Sequence, residues 1–137
     1  MSSDNPPSEI PHKPEQPEKK ILIVDDWYNN RYFLETLLKG NGYQVVSVKN
    51  GQEALEMLKS EKFDAIISDI LMPVMDGYLL CRTIKEDSVL SQILFIFYTA
   101  SYTESRHREY GLSLGADEYI CKPIEPENFI AIIKRML

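Results

Sequence analysis

Five short runs of β-branched and aromatic residues recur along the chain, and a helical pattern follows each of them. The runs are Ile21–Val24, Gln44–Val48, Ala65–Ser68, Ile93–Tyr98 and Glu118–Ile120. Phe33, Leu34, Leu37 and Leu38 form the first helical stripe, ended by Gly40 and Gly42. Ala54, Leu55 and Leu58 form the second, after Asn50-Gly51, and Leu80, Cys81 and Ile84 the third, after the turn and helix start at Asp76-Gly77. The stretch Thr103–Leu114 is more polar and stops at Gly115. Phe129, Ile132, Ile133, Met136 and Leu137 repeat at the spacing of a packed helix face. Strands alternating with helices predict an α/β fold: a parallel sheet covered on both faces. Each connection is long enough for the crossover helix that parallel neighbours require. Right-handed crossovers leave few arrangements, of which the doubly wound five-stranded sheet is the natural one.

Residues 1–19 differ from the rest. They hold five of the eight prolines and a single large aliphatic residue, Ile10. This composition predicts a flexible, solvated leader, with the compact unit spanning 20–137. Composition also narrows the function. Fifteen basic against 21 acidic residues give a net charge of −6, which argues against direct nucleic-acid binding. No apolar run approaches the roughly 18 residues of a membrane span. The N-terminus lacks the apolar segment of a secretory signal. The two cysteines, Cys81 and Cys121, have neither disulfide-framework nor metal-site spacing. The expected compartment is the reducing cytoplasm.

The chemistry is expected where the strands end, because ligands of open α/β sheets bind outside the carboxyl ends of their strands. Asp25 and Asp26 follow the first run, Asp69 the third, Thr99 the fourth, and Cys121, Lys122 and Pro123 the fifth. Three carboxylates, a hydroxyl and an ammonium are thus predicted to share one crevice. Three aspartates repel one another unless positive charge joins them, and one lysine does not balance three acids. A hard divalent cation does, and Mg²⁺ commonly takes one or two carboxylates together with phosphate oxygens. An aspartate beside such a cation can act as a nucleophile toward phosphorus, with metal, lysine and threonine stabilising the transferring group.

Four stretches carry a resemblance that covers the whole compact unit: Ile21-Leu-Ile-Val-Asp-Asp26, Ser68-Asp-Ile-Leu-Met-Pro-Val-Met-Asp-Gly77, Thr99-Ala100 and Gly115-Ala-Asp-Glu-Tyr-Ile-Cys-Lys-Pro123. In order and spacing they resemble the response-regulator receiver domains of two-component signalling. The resemblance implies a flavodoxin-like sheet of order 2-1-3-4-5. It implies Asp69 as phosphoacceptor for a phosphoryl group from a histidine kinase or phosphotransfer protein. Asp25, Asp26, Asp69 and the carbonyl of Leu71 are implied as ligands of Mg²⁺ or Mn²⁺. Lys122, Thr99 and Ala100 are implied phosphoryl contacts. Thr99 and Tyr119 match the two switch positions, with Tyr119 expected to turn inward on phosphorylation, and the Lys122–Pro123 bond is expected to be cis. Leu71 and Ser101 occupy positions that vary within the family, and the apolar Leu71 side chain cannot guide an attacking water. Phosphorylation is expected to alter the face made by the fourth helix, fifth strand and fifth helix, through which some receivers dimerise. Output then runs through a downstream effector, or through an output domain missing from this sequence. Such a chain is a signalling switch that catalyses only its own phosphorylation and dephosphorylation.

Plainer roles exist for the same residues. Asp25 and Asp26 suit a helix N-cap, Tyr119 an amphipathic surface tyrosine, and Trp27 a partly covered loop residue. Two other functions also fit part of the pattern. One is an interaction module that no longer uses phosphate. The other is a Mg-dependent aspartyl phosphatase of the haloacid-dehalogenase type, although that class carries Asp-x-Asp after its first strand and here the two acids are adjacent.

Overall fold

The structure, a computed structural model, describes residues 18–137. The leader expected over 1–19 lies outside them except for its last two residues. The elements are β1 (Lys20–Val24), α1 (Tyr28–Lys39), β2 (Gln44–Val48), α2 (Gly51–Ser60), β3 (Ala65–Ser68), α3 (Gly77–Lys85), a 3₁₀ turn (Leu90–Gln92), β4 (Leu94–Thr99), α4 (Ser105–Ser113), β5 (Glu118–Cys121) and α5 (Pro126–Met136). The strands pair in parallel in the order β2-β1-β3-β4-β5, as expected.

Successive strand residues face opposite sides of the sheet, and this builds two cores. Leu22, Val24, Ile66, Phe95 and Phe97 pack on Ala54, Leu80 and Ile84 from α2 and α3. Ile21, Ile23, Ala65, Ile67, Ile96 and Tyr98 pack on Leu34 and Leu38 of α1 and on Phe129 and Ile133 of α5. Because both faces are covered, β3 is buried at every position and β1 at all but its first. That is why these strands read as unbroken apolar runs rather than alternating ones.

The fourth strand sits one residue later than its apolar run predicts. Ile93 closes the 3₁₀ turn by donating to the Leu90 carbonyl at 3.0 Å, so it cannot begin the ladder. At the far end Thr99 still pairs with Cys121. Thr99 is therefore the last residue of β4 rather than the first after it.

Caps place the helices. Asn50 accepts from the Glu53 N–H at the start of α2, and Asp76 from the Leu79 N–H at the start of α3. The alternative reading of Asp25 and Asp26 as caps fails. The cap of α1 is Trp27, which offers no side-chain bond and is 65% exposed rather than partly covered. At Gly77 an added Cβ would lie 2.1 Å from the Asp69 carbonyl oxygen. Only glycine lets α3 start this close to the end of β3.

Candidate functional site

β1 and β3 are neighbours in register, with Val24 opposite Ser68, so Asp25 and Asp69 emerge side by side. The Asp69 N–H donates to the Val24 carbonyl at 3.0 Å and the Asp25 N–H to the Val48 carbonyl at 3.1 Å. Asp25, Asp26 and Asp69 each offer a carboxylate oxygen, and these oxygens all lie within 4.8 Å of one another.

The Asp25 side chain is 2% exposed. Its Oδ1 accepts from the Trp27 N–H at 2.9 Å, and the Asn30 amide approaches both oxygens at 3.3 and 3.4 Å. Arg31 reaches back from α1 and donates to the Asp25 carbonyl at 2.8 Å. Asp69 uses Oδ1 to accept from the Ile70 N–H at 2.7 Å. Burial pushes the carboxyls of Asp25 and Asp69 above the usual range; their hydrogen bonds and the Lys122 charge oppose this, and the neighbouring acids add to it. Asp26 Oδ1 is buried without a hydrogen-bond partner among the described residues.

β4 and β5 complete the crevice. Thr99 is fully buried, and its Oγ1 accepts from the N–H groups of Ser101 at 3.1 Å and Tyr102 at 3.4 Å. Ala100 beside it is exposed. The Lys122 N–H donates to the Thr99 carbonyl at 2.8 Å, and the Lys122–Pro123 peptide is cis. The Lys122 ammonium stands over the Tyr98 ring, 4.6 Å from its centroid. Across the crevice Leu71 is 47% exposed. Its carbonyl accepts no bond from the described backbone. Val74 takes a left-handed φ of 73°, and the Met75 N–H donates to the Pro73 carbonyl around it at 2.8 Å, a strained turn for a β-branched residue.

Tyr119 is not a surface tyrosine, and the inward turn expected on phosphorylation is already made in this unphosphorylated structure, where it is 2% exposed. Its hydroxyl donates to the Tyr102 carbonyl at 2.6 Å and lies 3.4 Å from the Tyr78 hydroxyl. Burial pushes its phenol strongly upward. A Cβ at Gly111 would come within 2.9 Å of the Tyr119 ring, so the glycine in α4 makes room for the inward pose.

The structure thus gathers Asp25, Asp26 and Asp69 into one cluster. It sets Lys122 near enough for its charge to act on Asp25 and Asp69. It also places Asn30, Arg31, Tyr98 and Tyr78 around the predicted residues. None of these four stood out in the sequence, because a polar residue on a helix, or an aromatic on a helix or strand, has a sufficient ordinary role. Three hard carboxylate donors, with the Asp26 carboxylate also carrying an unpartnered buried oxygen, fit a small divalent cation.

The family profile described as the response regulator receiver domain matches residues 21–134. The chain is 42% identical over 120 residues to the probable transcriptional regulator ycf27 of Guillardia theta, covering 88% of this chain and 46% of that protein. It therefore spans about half the length of the curated relatives it matches. Among solved structures, the signal receiver domain of a signal transduction histidine kinase from Syntrophus aciditrophicus is 39% identical with a TM-score of 0.80, covering 87% of this chain and 89% of that one. The receiver domain of sensor histidine kinase PA1611 from Pseudomonas aeruginosa PAO1 is 30% identical with a TM-score of 0.77, covering 87% and 97%. That protein holds a magnesium ion coordinated in its active site cleft.

Proposed function

Because the chain belongs to the response regulator receiver domain family, we propose that it accepts a phosphoryl group on Asp69. The donor is the phosphohistidine of a sensor histidine kinase or phosphotransfer protein, and the reaction uses Mg²⁺ or Mn²⁺. The observation that carries this reading is the cluster of Asp25, Asp26 and Asp69 with one buried oxygen left unpartnered.

The residues divide the work. Asp69 Oδ1 is occupied by the Ile70 N–H, which leaves Oδ2 as the attacking oxygen. It forms a bond to phosphorus as the phosphorus–nitrogen bond of the donor breaks. Asp25, Asp26, Asp69 and the Leu71 carbonyl would hold the cation. When bound, the cation neutralises phosphoryl and carboxylate charge that would otherwise oppose the transfer. Asn30 and the Trp27 N–H keep the Asp25 carboxylate oriented. Lys122 meets a phosphoryl oxygen, with Thr99 and Ala100 contacting the others. Thr99 and Tyr119 serve as the switch, and the α4-β5-α5 face carries the change to an effector, an output domain or a second copy of the chain. The protein works in the cytoplasm as a signalling switch, not as a turnover enzyme.

Intact mass after incubation with Mg²⁺ and acetyl phosphate tests this. The expected result is the gain of one phosphoryl group, absent in Asp69→Asn. An unmodified wild-type chain with both acetyl phosphate and a phosphohistidine donor would leave the interaction module as the better reading.

A further inference from the structure

The Lys122 ammonium forms no ion pair among the described residues. The charge of this ammonium acts on the carboxylates of Asp25 and Asp69, and a compact, strongly hydrated ammonium has a natural resting place on such a partner. It rests instead on an aromatic face, 4.6 Å from the Tyr98 centroid, well inside the range of cation–π attraction. We propose that Tyr98 is a positioning residue whose ring holds the Lys122 ammonium off the carboxylates. The lysine then stays free for a phosphoryl oxygen, and the acids stay free for the cation. The inference rests on the function proposed above and adds a residue to its machinery.

Tyr98 is built to stay in place. It is 8% exposed, and its ring packs on Phe129 of α5 at 4.9 Å between centroids. Its backbone lies in the ladder opposite Ile120, two residues before Lys122. The Lys122 backbone is tied to the same strand end through the Thr99 carbonyl. Platform and ammonium are therefore fixed to one pair of strands, and the ring face is the part of the site that competes with the carboxylates for the ammonium. Without the ring, the lysine would pair with Asp25 or Asp69. There it would occupy oxygens that the cation needs and dampen the Asp69 nucleophile.

The test begins on the metal-free chain by NMR. The Lys122 ε-methylene protons should be shifted upfield by the Tyr98 ring current. The shift should persist in Tyr98→Phe, which keeps the aromatic face, and vanish in Tyr98→Leu. Mg²⁺ is then titrated with Trp27 fluorescence as the reporter. Tyr98→Leu should weaken binding about fivefold, the scale of one cation–π contact, and Tyr98→Phe should bind as wild type does. In a Lys122→Ala background the leucine substitution should have no further effect. Equal weakening with and without Lys122 would reduce Tyr98 to a packing residue and overturn the proposal. So would unshifted Lys122 protons in a folded wild-type chain. The proton shifts need neither metal nor donor, so their outcome is independent of whether the chain accepts a phosphoryl group.

Discussion

At the scale of single residues, the aspartate cluster works against the fold that carries it. Asp69 and Asp25 are carboxyls whose burial holds them above the usual range, so the folded chain binds their protons more tightly than the unfolded chain does. The resulting penalty is full at neutral pH, fades as pH falls through the raised native value, and is gone below the ordinary carboxyl range. Metal-free Asp69→Asn should therefore melt a few degrees above wild type at neutral pH. The gap should close on acidification, and thermal melts across pH with a chelator present check both. The acids themselves were legible in the sequence because each follows an apolar strand run, and a parallel sheet gathers strand ends. Lys122 and Thr99 were legible for the same reason. Asn30 and Arg31 were not. On a helix they read as a solvated face, and only the angle of α1 brings them over Asp25. Tyr98 was not legible either: in sequence it is one more strand aromatic, and nothing in a run of β-formers says which ring will meet a lysine.

At the scale of elements, the start of α3 sets the position of the Asp69 loop. A methyl group at Gly77 would meet three backbone atoms, the Asp69 carbonyl oxygen at 2.1 Å, the Ile70 Cα at 2.9 Å and the Asp69 carbonyl carbon at 3.1 Å, and none can swing aside as a side chain would. Gly77 is the first residue of α3, so Gly77→Ala gains less than the roughly 1 kcal/mol of propensity found in a helix interior. It should nevertheless lose roughly 2 kcal/mol or more net, the scale of overpacking at a rigid contact. Urea denaturation measures the loss, and weakened Mg²⁺ binding would show that the loop had moved. Element boundaries were the least legible feature. The 3₁₀ turn before β4 removes Ile93 from the strand, an effect of local hydrogen bonding that hydrophobicity does not encode. Helix α4 is shorter than its polar stretch. It opens on a reciprocal pair of bonds between Glu104 and His107, and Gly111 is its one buried residue, so little periodicity marked its limits.

At the scale of the whole molecule, the doubly wound parallel sheet was legible in the alternation of elements and the hand of their crossovers, because burying both faces of a parallel sheet leaves a plain trace in composition; the strand order came only with the family resemblance. The same architecture ties global stability to the crevice, since β1, β3, β4 and β5 all end there. Saturating Mg²⁺ at a hundred times its dissociation constant should stabilise the fold by about 2.7 kcal/mol, and Asp26→Asn should abolish most of that gain. Paired melts with Mg²⁺ and with chelator give the number. The ending of β4 has a further consequence. Tyr98 and Thr99 are consecutive, so the pleat sends them to opposite faces of the sheet. Tyr98 leans on Phe129 of α5, whereas Thr99 connects through Tyr102 to Tyr119 and Tyr78. One chemical event at the crevice would thus have two audiences, on opposite sides of the sheet. Hydrogen exchange along α5 and along α4 should report them separately, so that silencing one conversation by substitution leaves the other audible.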